Sequence, residues 1–324
     1  MFVGWGESMV EYRNVSTADL HRITSVLNQS RKGIPFQRKM TADEVAAETV
    51  DDEDFDPSGA WLALSGGKAI AYGEAFIAHG KLELGKKEGY AKIEVSPEYR
   101  GNGVEEELVR RAESYMVGKG IMFARASSTA EDDWRINLLR VSGYQMVRVF
   151  NSMLAKNVEN LVKISPPEGC ELDGRLLTDC SDEEIELFAD IVTETFKGQF
   201  NYEPYPPSRL MNIRDTSQDT FRVTYASVDG NCVGAFLTED SMVLNREREK
   251  KEGWILLGGV REGHRGRGIG RALIADGVNW LVTRGIENVY IGVDTENPTA
   301  FGLYQSLGFE VQYRNMAYGK SLRC

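Results

Sequence analysis

Polar and apolar positions alternate along this chain in two rhythms, and each rhythm occurs twice in the same order. The segment 15–28, VSTADLHRITSVLN, predicts a helix entered through Ser, Thr and Asp, and TADEVAAETV at 41–50 predicts a second. Those residue types favour helix starts because their side chains accept from the first, unpartnered amides. AWLALSGGKAIAYGEAFI (60–77) predicts a hairpin turning at Gly66-Gly67, and YAKIEV (90–95) a strand running into a glycine-bearing loop. The order then returns. SDEEIELFADIVTETF (181–196) predicts a helix capped by Ser181 with acids in its first turn. FRVTYASVDGNCVGAFLT (221–238) predicts a hairpin with Asp229-Gly230 at the turn. WILLGGV (254–260) is a continuous apolar run, expected to be a strand buried on both faces.

The recurrence is also visible residue by residue. VSPEYRGNGVEEELVRRAESYMVGKGI from Val95 aligns with VREGHRGRGIGRALIADGVNWLVTRGI from Val260, placing Gly103 and Gly268 165 positions apart. LLRVSGY (138–144) aligns with LYQSLGF (303–309), and Gly143 and Gly308 are again 165 apart. A register held across a strand, a helix and a second strand indicates two copies of one domain. A chain of 324 residues suits two domains. KISPPEGCELDG (163–174) interrupts regular structure with Pro166, Pro167 and Gly169, which sets the expected domains at 1–164 and 165–324.

Composition narrows the partners. With 42% hydrophobic and 27% charged residues the chain can bury cores and stay soluble. A net charge of −11 opposes nucleic acid or an anionic membrane as the main partner. Cys170, Cys180, Cys232 and Cys324, with His21, His79 and His264, show no metal-ligand spacing, so no metal is expected. The thiols read as reduced, implying a cytoplasmic protein, with Cys232 in a core. MFVGWGESMVEYR lacks the features of a signal peptide, and no run reaches the length of a membrane span. REREKKEG (246–253) reads as a solvated turn.

The candidate chemistry lies in VREGHRGRGIGRALIADG (260–277). A helix is expected from Gly268, with Ile269, Leu273, Trp280 and Leu281 on one side and Gly277 permitting close packing. The first amides of a helix lack internal partners, and the macrodipole adds about half a positive charge there. Glycines at 266, 268 and 270 let an anion approach those amides, and Arg265, Arg267 and Arg271 add charge, as in a diphosphate cradle. No Gly-x-x-x-x-Gly-Lys-[Ser/Thr] string occurs. The dinucleotide fingerprint is met at Gly266 and Gly268 but broken by Arg271, although Asp294 imitates its ribose-binding acid.

Arg265-Gly266-Arg267-Gly268-Ile269-Gly270 resembles the Arg/Gln-x-x-Gly-x-Gly/Ala motif of GNAT-type N-acetyltransferases, and VYIGVDTENPTAFGLYQSLGF (289–309) resembles their second motif at the right spacing. The chain looks most like the tandem architecture of the mycothiol synthase type. The resemblance implies an α/β (α+β) fold: two tandem domains, each a mixed, mostly antiparallel sheet flanked by helices. It implies acetyl-CoA as co-substrate, with main-chain groups of Gly258, Gly259 and Val260 at the pantetheine arm and acetyl carbonyl. Arg265, Gly266, Arg267, Gly268, Ile269, Gly270 and Arg271 would hold the pyrophosphate, and Asn297 the pantetheine. Tyr304 would act as general acid toward the leaving thiolate. Phe301 and Phe309 read as packing.

A neutral amine needs a base, and WILLGGV holds no carboxylate. Glu252, just before it, and Asp294 are the candidate bases; Glu239 and Asp240 end the preceding strand, and His264 reads as a loop residue. The first copy has Glu105 where the last loop glycine stands, Leu139 for Tyr304 and Asp132 for Asn297. It is expected to be structural, because Glu105, Glu106 and Glu107 suit the helix dipole but compete for amides that a phosphate would use. The expected activity is direct acetyl or short-acyl transfer to a small-molecule or peptide amine in the second copy; the alternative is an acyl-CoA-binding or regulatory protein without turnover. KGQFNYEPYPPSRLMN (197–212) is a candidate lid over the acceptor, and the chain is expected to be a monomer or homodimer.

Overall fold

The computed structural model describes residues 10–34, 37, 39–52, 54–77, 79–156, 158, 164–200, 202–217, 219–241, 245 and 251–322. Cys324, Asn201 of the candidate lid and residues 246–250 of the expected solvated turn lie outside the described residues. The chain forms two compact units, Met1–Val149 with Asn315–Cys324, and Phe150–Arg314.

The first unit runs β1 (Glu11–Asn14), α1 (Leu20–Ser30), α2 (Ala42–Ala47), β2 (Ala60–Ser65), β3 (Lys68–Phe76), α3 (His79–Glu83), β4 (Glu88–Val95), α4 (Val104–Gly118), β5 (Phe123–Thr129), α5 (Asp133–Val141) and the start of β6 (Gln145–Lys156). β1, β2, β3 and β4 pair antiparallel in that order, and β4 pairs parallel with β5. The second unit takes the end of β6, then β7 (Cys170–Leu176), α6 (Asp182–Phe196), α7 (Pro207–Thr216), β8 (Phe221–Val228), β9 (Asn231–Asp240), β10 (Glu252–Val260), α8 (Ile269–Thr283), β11 (Asn288–Asp294), α9 (Pro298–Ser306) and most of the start of β12 (Glu310–Ser321). β7 to β10 pair antiparallel, and β10 pairs parallel with β11. Each sheet is therefore mixed and mostly antiparallel, with helices packed against it.

The compact units do not part at residue 165. Residues Phe150–Lys156 of β6 pair with β11 in the second unit, and Asn315–Ser321 of β12 pair with β5 in the first. Each half of the chain thus lends its closing strand to the other's sheet. The repeat marks equivalent positions; the edge a strand hydrogen-bonds decides which unit it joins.

Local structure follows the side chains closely. The side chains of Thr41 and Ser181 accept from the amides of Glu44 and Glu184, and those glutamates accept in return from the cap amides, starting α2 and α6. The turn residues Gly66 and Gly67 have φ of 56° and 81°, and Asp229 and Gly230 have 51° and 76°, as tight hairpins need. α4 and α8 start after glycines at φ 83° and 87°, and the turns after α5 and α9 each have a glycine at 84°. Ile269, Leu273, Val278 and Leu281 of α8 pack with Ile255, Val289 and Phe309 in one core of the second unit. α6 and α7 pack Ile185, Phe188 and Leu210 with Val223 and Leu237 in another.

β10 departs from expectation. It begins at Glu252, so it does carry a carboxylate, and it is not buried on both faces. Gly253 and Ile255 face the α8 core, while Leu256 is 41% exposed. Gly253 to Leu256 alternate in the ordinary way, and the face opposite α8 is only partly covered; a register irregularity then falls between Ile255 and Leu257.

Candidate active site

β10 and β11 pair only from Glu252/Asn288 to Ile255/Ile291. Beyond Ile255, β10 stays bonded to β9, through Gly258/Phe236, Gly259/Ala235 and Val260/Gly234, but has no pairing with β11. The two strands therefore separate, and each presents an unpaired main-chain edge to the split. An extended chain can add to such an edge as a strand would.

Glycine is required at both 258 and 259 by the protein's own packing. Gly258 has φ +154°, and a Cβ there would stand 2.2 Å from the Ala235 carbonyl oxygen. A Cβ on Gly259 would lie 2.7 Å from Thr195 Oγ1 of α6. Bare backbone lets α6 and β9 close on β10 at the point where β11 leaves it.

The strand then enters the loop before α8. Gly266 and Gly268 take φ of 75° and 87°, conformations that L side chains rarely adopt. The amides of Gly266 to Arg271 have no hydrogen-bond partner among the described residues, and no side chain caps α8. Arg267 is exposed and has no ion-pair partner among the described residues. Arg265 Nε donates to the Val260 carbonyl at 2.8 Å and its Nη2 to the Thr195 carbonyl at 3.4 Å. It ties the loop to β10 and α6. Arg271 donates to Ser306 Oγ, joining the start of α8 to α9. Open backbone amides, the α8 dipole and Arg267 together give this loop the chemistry to hold an anion.

Asn297 caps α9, its Oδ1 accepting from the Ala300 amide at 3.1 Å, and its Nδ2 has no partner among the described residues. Tyr304, on α9, is 8% exposed, and its hydroxyl makes no hydrogen bond to the described residues. Burial pushes this phenol up to about 12, so it stays protonated across the physiological range. Phe309 packs beside it, ring centroids 6.2 Å apart, and Phe301 packs on the same core. Of the candidate bases, Asp294 accepts the Glu296 amide at 2.9 Å in a turn. Glu252 lies 3.5 Å from the Tyr290 hydroxyl. Burial, then the Glu252 charge, pushes Tyr290 up to about 12. Asp240 is buried and receives a hydrogen bond from Arg284, and His264 sits in the loop before the motif. Among the described residues no group of three or more His, Cys, Asp or Glu could hold a metal ion, and no helix is long and apolar enough to cross a membrane.

The first unit repeats this geometry and fills it with its own side chains. Gly101 and Gly103 have φ of 76° and 83°, and Arg100 donates to the Val95 carbonyl at 3.2 Å and the Ser30 carbonyl at 2.6 Å, as Arg265 does. Here the Gly101 amide donates to Glu105 Oε1 at 2.6 Å, and Glu105 is 4% exposed. The carboxylate sits in the nest that is open in the second unit. Arg135 stands where Ala300 stands in the repeat. Its guanidinium donates to the Ile93 carbonyl, to Glu94 at 2.7 Å and to Asp132 at 3.0 Å. Ile93 and Glu94 occupy the places of Gly258 and Gly259, so Arg135 bonds the edge that the second unit leaves unpaired. Sequence reasoning anticipated Glu105 but missed Arg135; the signal was an arginine where the other copy has alanine.

The family model described as the acetyltransferase (GNAT) family matches residues 26–144 and 185–309. A mycothiol acetyltransferase of Kocuria rhizophila is 43% identical over 60 residues, 18% of this chain and 20% of that protein. One from Paenarthrobacter aurescens is 25% identical over 246 residues, 74% of this chain and 72% of that one. The match to the Kocuria protein thus spans only about a fifth of its length. Among solved structures, a GCN5-related N-acetyltransferase from Sphaerobacter thermophilus has a TM-score of 0.69 at 22% identity, covering 97% of this chain and 96% of that one. A tandem GNAT protein from the clavulanic acid biosynthesis pathway has a TM-score of 0.76 at 14% identity, covering 98% and 99%.

Proposed function

Because the chain belongs to the acetyltransferase (GNAT) family, we propose that its second unit transfers an acetyl or short acyl group from CoA to a primary amine by direct attack. The family's activity is acyl transfer with acetyl-CoA as co-substrate; the choice of unit, acceptor and residues is our reading. The observation that carries it is the contrast at one repeat position. Gly270 leaves the loop amides open, whereas Glu105 fills them.

The amides of Gly266 to Arg271, with Arg267, would hold the diphosphate. The unpaired edge of β10 at Gly258, Gly259 and Val260, and Nδ2 of Asn297, would hold the pantetheine. Acetyl-CoA supplies the thioester that is cleaved. Tyr304 donates a hydrogen bond to the sulfur. Full proton transfer from a phenol at about 12 to a thiolate of ordinary pKa near 8.5 is uphill by about 5 kcal/mol. Burial raises a thiol formed beside the phenol as well, which narrows that gap. Glu252, rather than the turn-bound Asp294, takes the amine proton. It lies three residues from Ile255, about 10 Å along the strand, so the proton passes through water. The relatives named mycothiol acetyltransferase favour a small-molecule acceptor over a peptide amine.

The test is thiol release from acetyl-CoA across a panel of primary amines, with CoA affinity measured by calorimetry. Tyr304→Phe is expected to lower kcat about 100-fold while changing CoA affinity less than about threefold. An unchanged kcat removes Tyr304 from the chemistry. CoA binding without thiol release for any amine would make the second unit a binding module.

A further inference from the structure

The face of the second unit's sheet at the top of the split carries an aromatic chamber that the chemistry described so far does not use. Trp254 on β10 and Tyr290 on β11 are register partners and stack, centroids 4.7 Å apart at 19°. Both are half-buried. Side chains on a strand alternate between faces, so Gly292 and Asp294 share the Tyr290 face. Phe150 pairs with Asp294 and therefore lies on that face too. Phe200, from the segment after α6, meets Phe150 with centroids 6.1 Å apart.

Gly292 is the floor of this chamber. It is exposed, and no described atom comes within 4 Å of a Cβ built there. It is also the first residue of β11 beyond the last β10 pairing, Ile255/Ile291. The chamber therefore opens beside the split. Glu252 and Asp294 lie on this face, one on each side of Gly292 along the strands. Lys156, opposite Asn288, places a cation on the face, beyond Tyr290 from the floor.

We propose that this chamber selects the acceptor: it takes a cationic amine borne on a flat ring, with the ring against the Trp254–Tyr290 pair and the amine over Gly292, toward the split where the thioester would lie. The inference rests on the acyl-transfer reading given above and adds the substrate class to it. A planar apolar face meets aromatic side chains at small entropic cost, and a cation beside them gains from the ring quadrupoles. The same chemistry is offered by an aryl ring and by the C–H face of a sugar ring.

The probes are phenethylamine for the aryl ring, 2-amino-2-deoxyglucose for the sugar ring, and hexylamine as a ringless amine. Each is tested for thiol release from acetyl-CoA, and separately for binding to the full chain by calorimetry. At least one ring amine is expected to exceed hexylamine about tenfold in kcat/KM, and the better ring amine identifies the source. Trp254→Ala should erase that ratio mainly through KM. Gly292→Leu, which fills the floor, should lower use of the ring amine at least tenfold while leaving CoA affinity unchanged. Equal use of all three amines, or a ratio that survives Trp254→Ala, overturns the inference while leaving acyl transfer intact. Binding of a ring amine that Trp254→Ala removes, without turnover, upholds the chamber and overturns the catalytic reading instead. No binding and no turnover with any probe overturns the chamber.

Discussion

Gly270→Glu is expected to abolish CoA binding, lowering affinity at least about 100-fold, without unfolding the protein. The first unit displays the outcome, because Glu105 at the equivalent position is buried with the Gly101 amide bonded to its carboxylate at 2.6 Å. Space is available for the side chain. A Cβ on Gly270 would meet Leu303 Cδ2 at 3.6 Å and Val260 Cγ2 at 3.7 Å, ordinary contacts. The new carboxylate takes the Gly266 amide and also repels the ligand. A single carboxylate about 6 Å from a phosphate charge costs about 3 kcal/mol at an effective dielectric of 20, already about 100-fold. Stability should hold or rise, since an acid in the first turn of α8 favours the helix dipole by about 0.3–1 kcal/mol. Calorimetry with CoA and a thermal melt measure the two effects. Affinity within threefold of the parent would place the diphosphate elsewhere.

Arg135→Ala is expected to produce the largest loss of stability, about 3–5 kcal/mol. Glu94 is buried at 3% exposure. Its burial alone would raise its carboxyl, but Arg135 at 2.7 Å and Arg31 at 3.4 Å hold it down at about 2. Removing Arg135 also strips Asp132 of its 3.0 Å partner and frees the Ile93 carbonyl. The pH dependence distinguishes this from simple loss of packing. In the parent, the depressed Glu94 contributes stability that is present above the unfolded value near 4.3 and is lost as pH falls toward 2. In the variant, burial dominates and the folded pKa rises above the unfolded one, so stability falls as pH climbs past 4.3. The deficit should therefore widen between pH 4 and pH 7 in urea titrations. Adding Glu94→Gln should return much of it. A deficit independent of pH would assign the loss to packing.

Both predictions turn on the 165-residue repeat, and the parts of the site legible in that repeat are the local ones. Gly266, Gly268, Gly101 and Gly103 could be read because a left-handed backbone is met most cheaply by glycine. Ser181 and Thr41 declare their helices by the amides they cap. The hairpins at Gly66-Gly67 and Asp229-Gly230 follow from turn geometry. Glu105 was suspect because an acid replaced a loop glycine. Against these, WILLGGV reads as doubly buried although Leu256 is exposed, since an apolar run does not reveal which face its neighbours leave uncovered. The two carbonyls that Arg265 bonds, those of Val260 and Thr195, were not legible either, since Thr195 lies 70 positions away.

The order of elements, the glycine turns, the helix caps and the kinship of the two halves reside in neighbouring residues, where sterics and short-range hydrogen bonds act within a few positions. Which edge β6 and β12 complete, where β10 leaves β11, that Arg135 closes one groove, and that Trp254 stacks on Tyr290 and Phe150 meets Phe200 on the Gly292 face are settled only by the folded chain. These depend on partners far apart in sequence, and a strand edge or a groove is filled by whichever distant group offers hydrogen bonds and shape that match.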